Sequence, residues 1–214
     1  MTHSTPTVTT LLFDLDDTLY PPSSGVWQAI GERINRFMTE RVGVPVERVA
    51  AMREEYFRTF GTTLNGLRAN HGVDPDEYLL FVHDLPLDQM LKDDPALRAM
   101  LATLSQRKVI FSNASRAHAQ RVLQRLGIDR FFEQIIDIHA TDLVNKPDPD
   151  SYRRAMALLG EVHSRRCMII DDQLRNLMPA KTMGMQTVWV HPQGGEHSVD
   201  HHIASILDLP TCLA

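Results

Sequence analysis

Short apolar runs alternate with longer amphipathic stretches over most of the chain, and that alternation predicts strand and helix units wound into a mainly parallel sheet. The runs are Val8 to Leu15, Val109 to Ser112, Ile135 to Ile138, Cys167 to Asp171 and Thr187 to Val190. Each is too short for a helix and rich in Val, Ile or Phe, which makes five predicted strands. Helical spacing fills the later gaps, with Val122, Leu123 and Leu126 before Gly127, and Ala155, Met156, Leu158 and Leu159 before Gly160. Both glycines stand where a helix C-cap favours positive φ. Leu174 to Met183 also reads as a helix, with Gly184 as its stop and Pro179 marking a kink or a late first turn.

The first two runs are far apart, and the residues from about 20 to 100 between them carry no strand pattern. Trp27, Ile30, Ile34, Phe37 and Met38 form one apolar stripe; Val49, Met52, Tyr56, Phe57 and Phe60 form a second; Tyr78 to Val82 begins a third. A small helical bundle inserted after the first strand accounts for them. The expected division is a core of residues 1–19 and 96–214 and an insert of 20–95, with turns at Pro21-Pro22 and near Asp93-Asp94-Pro95 as hinges.

Composition narrows the class. A length of 214 residues suits one domain with an inserted subdomain, and 43% hydrophobic with 23% charged residues is ordinary for a globular chain. The formal charge of -5 leaves no electrostatic footprint for nucleic acid or an anionic membrane, so small-molecule partners are expected. No stretch approaches the roughly 18 apolar residues of a membrane span, and the first residues carry no export pattern. With only Cys167 and Cys212, no disulfide framework is expected, and a cytoplasmic setting fits.

Candidate chemistry gathers at the ends of the runs. Asp14 and Asp16 are two apart, so in extended chain their carboxylates share a face. A second pair, Asp171-Asp172, ends the fourth run, and in a parallel sheet four carboxylates at strand ends converge on one crevice. Oxygen-only ligands suit a hard divalent ion, Mg²⁺ above all when a substrate phosphate completes the shell. Ser112 and Asn113 offer a hydroxyl, an amide and backbone N–H groups, and Lys146 adds a fixed positive charge. Together these groups can bind and transfer a phosphoryl group. Asp17 is expected to point away, in a capping or surface role. His191, His197, His201 and His202 lack a completing acid or thiol and read as surface histidines. Tyr20, Tyr56 and Phe60 are candidates to line the cleft.

The ordered set Asp14-Leu15-Asp16-Asp17-Thr18-Leu19, Ser112-Asn113, Lys146 and Asp171-Asp172 resembles the haloacid dehalogenase superfamily of phosphotransferases. The resemblance implies a Rossmann-like core with a helical cap inserted after the first motif; that cap is expected to be mobile over the cleft and, because the core sees only the phosphoryl group, to set substrate choice. It makes Asp14 the nucleophile that forms an aspartyl-phosphate and Asp16 the general acid and base. It has Ser112, the Asn113 backbone and Lys146 grip the phosphate. It places Mg²⁺ on the Asp14 carboxylate, the Asp16 carbonyl and Asp172, with Asp171 direct or through water. Superfamily dehalogenases lack the second motif aspartate, so Asp16 argues against dehalogenation. The segments Phe60-Gly61-Thr62-Thr63-Leu64, Val82-His83-Asp84-Leu85-Pro86 and Ile169 to Asn176 are similar to the pyrimidine 5′-nucleotidase branch. They imply a phosphomonoesterase acting on uridine and cytidine monophosphates. A sugar-phosphate phosphatase or phosphomutase on the same core is the alternative. A phospho-accepting signalling module is a different class, and the long insert after the first strand speaks against it.

Overall fold

Six strands pair edge to edge in the computed structural model, which describes residues 7–161, 163–195 and 198–213. They are β1 (Thr10–Phe13), β2 (Arg107–Phe111), β3 (Gln134–Ile136), β4 (Cys167–Asp171), β5 (Gln186–Val190) and β6 (His201–Ile203). Their order is β3-β2-β1-β4-β5-β6, and every neighbouring pair is parallel. Helices follow in chain order as α1 (Val26–Glu40), α2 (Val46–Phe60), α3 (Thr63–His71), α4 (Pro75–Val82), α5 (Leu87–Met90), α6 (Pro95–Thr103), α7 (Arg116–Leu126), α8 (Pro149–Leu159) and α9 (Leu174–Thr182). The chain divides into two compact units, residues 1–21 with 91–214 and residues 22–90.

In the sheet unit every residue of β1 and β4 is buried, as expected of central parallel strands covered on both faces. Leu12, Val109, Phe111, Ile136, Tyr152, Ile169, Leu177 and Trp189 form one core cluster between the sheet and its helices. From β1 the chain steps outward through β2 to β3, and from β4 the other way through β5 to β6. The order therefore reverses between β1 and β4, and ligands of open parallel sheets bind at the carboxyl ends of strands at such a point. β1 and β4 are aligned there, with Phe13 beside Ile170. Gly127 and Gly160 end α7 and α8 in the left-handed conformation, as the spacing predicts.

β6 was not among the five strands predicted from the sequence. Its His-His-Ile run has no apolar periodicity, and only Ile203 is buried, because it is a short edge strand paired on one side to β5.

The helical unit is held by Ile30, Ile34, Phe37, Met38, Val49, Tyr56, Leu67 and Tyr78, all buried, with Phe37 and Tyr78 edge to face at 5.1 Å. α2 and α3 meet where Gly66 lies against Tyr56, and a Cβ there would come within 2.2 Å of the ring. Two expected stripe positions face outward: Trp27 is 51% exposed and Phe57 is 45% exposed. In α1 the buried face runs through Val26, Ile30, Ile34 and Phe37, one step of about 100° from Trp27, and in α2 through Val49 and Tyr56, one step from Phe57. Among the described residues no helix is long and apolar enough to cross a membrane.

Candidate active site

β1 runs straight into Asp14, whose N–H donates to the Ile170 carbonyl at 2.9 Å, so Asp14 sits beside the end of β4, where Asp171 and Asp172 follow. Between the two strand ends lies Lys146, only 1% exposed, whose Nζ donates to Asp14 Oδ1 at 2.8 Å and to Asp171 Oδ2 at 2.7 Å. Asp171 is itself fully buried and accepts further bonds from Gln173 N–H at 2.8 Å and from Asn176 Nδ2 at 3.0 and 3.1 Å. These bonds hold Lys146 and the first turn of α9 in place.

Asn113 performs a task that its backbone role did not suggest. Its side chain accepts from Lys146 N–H at 2.8 Å and donates back to the Lys146 carbonyl at 3.0 Å, pinning the main chain that carries the ammonium. Ser112 Oγ, nearly buried, accepts from Ala114 N–H at 3.1 Å, and its O–H is the group that can donate to an anion. Thr18, also buried, accepts from Asp172 N–H at 3.1 Å and reaches Asp14 Oδ2 at 3.4 Å and Asp172 Oδ1 at 3.5 Å. Trp189 Nε1 donates to the Asp172 carbonyl at 2.8 Å.

Charge in this corner is tightly constrained. Burial is the main influence on Asp14 and raises its carboxyl well above the usual range; Asp171 and Asp172 push the same way and Lys146 opposes them. Burial also works against the Lys146 ammonium, but Asp14 and Asp171 outweigh it and hold its pKa above that of an ordinary lysine. Asp172 is pushed up to about 7, first by burial and then by the charge of Asp171. One lysine does not neutralise three acids. Asp14, Asp171 and Asp172 each offer an oxygen within 4.8 Å of the others, so the all-oxygen, electron-rich donor set fits a hard divalent cation.

This charge excess predicts a measurable linkage. Asp172 binds its proton more tightly folded than unfolded, so the cation-free protein gains stability from it below about 4 and loses that gain as pH rises through about 7. The melting temperature of chelator-treated protein is expected to fall across that interval, and millimolar Mg²⁺ to recover it at the upper end. A melting temperature indifferent to both would mean that the acids are already compensated.

Four carboxylates were expected to converge, but three do. Asp16 instead turns to Tyr20, whose hydroxyl donates to Asp16 Oδ1 at 2.5 Å, and to His118, whose Nε2 lies 2.8 Å from the same oxygen. Burial, followed by the charge of Asp16, raises the Tyr20 phenol above its usual value. His118 escaped the sequence reading, although a signal existed. It shares the buried face of α7 with Ala119 and Val122, and a histidine on an apolar helix face is a place to ask for a polar partner. Asp17, expected at a cap or on the surface, is half-buried with a left-handed φ of 59°. Its Oδ1 has no hydrogen-bond partner among the described residues, and burial, then Asp16, pushes its carboxyl up to about 6.

The C-terminal histidines form no ligand set among the described residues. His191 stacks on Trp189 at 4.7 Å, His202 Nε2 meets the His191 carbonyl at 2.7 Å, and His197 lies outside the described residues.

Comparison with known proteins gives a consistent picture. A family described as haloacid dehalogenase-like hydrolase matches residues 8–184. Phosphate metabolism protein 8 of Saccharomyces cerevisiae is 30% identical over 81% of this chain, which spans 58% of that protein's length. Glyceraldehyde 3-phosphate phosphatase of Pyrococcus abyssi is 28% identical over 84% of this chain and 79% of its own. Among solved structures, the magnesium-bound hydrolase YfnB of Bacillus subtilis superposes with a TM-score of 0.65 at 18% identity, covering 97% of this chain and 99% of that one, a likeness of fold.

Proposed function

We propose a phosphoryl-transfer chemistry on the premise that this chain belongs to the haloacid dehalogenase-like hydrolase family: it is a Mg²⁺-dependent phosphomonoester hydrolase working through an aspartyl-phosphate on Asp14. The observation that carries this reading is the buried Lys146 ammonium clamped between Asp14 and Asp171, with Asp172 beside them at the β1/β4 switch point. Lys146 aims Asp14 and favours its anionic form against the effect of burial. In the first step a new bond forms between an Asp14 oxygen and phosphorus while the bond to the ester oxygen breaks. The electron pair leaves on that oxygen, which takes a proton from Asp16. Asp16 then removes a proton from water, the water oxygen attacks phosphorus, and the pair returns to Asp14. Ser112 O–H, the Asn113 N–H and Lys146 Nζ donate to the phosphoryl oxygens, where negative charge is densest. Asp14, the Asp16 carbonyl and Asp172 would hold Mg²⁺, with Asp171 direct or through water, and the ion would supply Lewis acidity and charge neutralisation to the phosphoryl group.

The core reads only the phosphoryl group, so selectivity is assigned to the helical unit. Similarity of Phe60 to Leu64 and Val82 to Pro86 to the pyrimidine 5′-nucleotidase branch favours uridine and cytidine monophosphates. The likeness to a glyceraldehyde 3-phosphate phosphatase favours a small sugar phosphate as the second reading. A panel of nucleoside monophosphates, glyceraldehyde 3-phosphate, hexose phosphates and phosphoglycolate, assayed with Mg²⁺ and after chelation, separates the two. The expected result is the highest kcat/KM for pyrimidine monophosphates and loss of turnover on chelation. Preference for a sugar phosphate would replace the substrate and keep the mechanism, and conversion of glucose 1-phosphate to its 6-isomer would mark a mutase. Full turnover without a divalent ion would overturn the mechanism.

A further inference from the structure

We infer that His118 and Tyr20 are positioning residues for Asp16, fixing one of its oxygens so that the proton exchanged with the leaving group and with water is carried on the other. The inference rests on the hydrolase reading above and deepens it. It begins from a long-range contact: His118 is 102 residues from Asp16 in sequence, yet its Nε2 lies 2.8 Å from Asp16 Oδ1. The His118 side chain is fully buried and that of Asp16 is 10% exposed. The Tyr20 hydroxyl, also on a buried side chain, donates to the same oxygen at 2.5 Å.

Two donors on one carboxylate oxygen occupy its two lone-pair directions. Oδ1 is thereby held as an acceptor and is not the oxygen that carries the proton. Exchange falls to Oδ2. The phenol donates its O–H to Oδ1. The imidazole contributes an Nε2–H donor in this arrangement. Both groups are assigned the role of holding Oδ1. The transferred proton moves from Asp16 Oδ2 to the ester oxygen as its bond to phosphorus breaks, and returns to Oδ2 from the attacking water.

Such an arrangement has a particular use. A carboxyl on a short side chain pivots about two bonds, and an acid or base that must serve two steps loses rate when it samples rotamers out of reach. Tyr20 approaches from the first turn beyond the motif and His118 from the first turn of α7, so the carboxyl is held from two independent elements. Reactions that need little help from an acid should hardly notice the loss of this hold.

The test compares an aryl and an alkyl phosphate, p-nitrophenyl phosphate and a good alkyl monoester from the substrate panel, in Tyr20→Phe, His118→Leu and His118→Gln. Wild-type hydrolysis of both with Mg²⁺, lost in Asp14→Asn, is measured first. If it is absent, the hydrolase reading fails before this inference is reached. With that established, Tyr20→Phe and His118→Leu are expected to lower kcat on the alkyl ester by about 10²-fold, with KM little changed. The loss on the aryl ester, read as trapped phospho-enzyme in a single turnover, should be under about tenfold. His118→Gln, whose amide nitrogen replaces the Nε2–H donor, should recover most of the alkyl activity. Equal losses on both esters, or a His118→Gln variant as impaired as His118→Leu, would overturn the inference. If His118→Leu fails to fold, Tyr20→Phe and His118→Gln decide: an unchanged aryl-to-alkyl ratio in Tyr20→Phe overturns it.

Discussion

Asp14→Asn is expected to remove turnover, by at least about 10⁴-fold, while leaving the protein folded. The amide has the shape of the carboxylate but no lone pair basic enough to attack phosphorus, so no acyl phosphate should be trapped by rapid acid quench of labelled substrate. Folding should survive for an electrostatic reason. Asp14 is one of three acids that bring an oxygen within 4.8 Å of one another, and the charges of Asp171 and Asp172 disfavour its own. Neutralising it relieves repulsion, while Lys146 keeps its bond to Asp171 at 2.7 Å. The melting temperature of the variant should therefore match or exceed that of the wild type, and the stabilisation by Mg²⁺ should shrink because one ligand is lost. A variant that still forms a trapped phospho-enzyme would move the nucleophile to another residue.

Lys146→Met should do the opposite to stability. It deletes a buried ammonium that bridges Asp14 and Asp171 and keeps a shape that fills the same space. Breaking a buried ion pair from one side costs about 3–5 kcal/mol, which for a chain of this size corresponds to a fall in melting temperature of roughly 10 °C. The loss should grow as pH rises, because the stranded carboxylates can be quieted only by taking up protons, and protons become scarcer. Turnover should fall with it, since Asp14 would be left protonated more of the time. Thermal melts of the variant at several pH values check this directly. Wild-type stability at neutral pH would mean that one of the two acids is already protonated and that the ammonium is not what compensates them.

The distance between these two variants shows where compensation lies in the site. Removing a negative charge is expected to be tolerated and removing the Lys146 ammonium is not, because the cluster carries more acid than Lys146 can balance. That imbalance is the reason a divalent cation is expected to bear on stability as well as on rate.

Much of this was determined by the sequence alone. Apolar runs ending in acids placed Asp14 and Asp171 at strand termini, and because side-chain direction in a strand depends only on local backbone, the ordered motifs could be read with no knowledge of the fold. The wholly helical stretch between the first two strands was legible for the same reason, since a 3.6-residue period is a local property. Tertiary structure decided the rest. The strand order set β4 beside β1 and brought Lys146 to Asp14 across 132 residues, and it brought His118 to Asp16 across 102. No local pattern encodes such contacts. Asn113 was visible as a motif residue, but that its side chain clamps the main chain of Lys146 depended on how two distant loops meet. Trp27 and Phe57 lay within apolar stripes yet face outward, because a stripe states which residues prefer burial and only packing decides which of them the neighbouring helices have room to cover. β6 became a strand because β5 offered it an open edge, a condition set by the partner strand and not by the sequence of its own three residues.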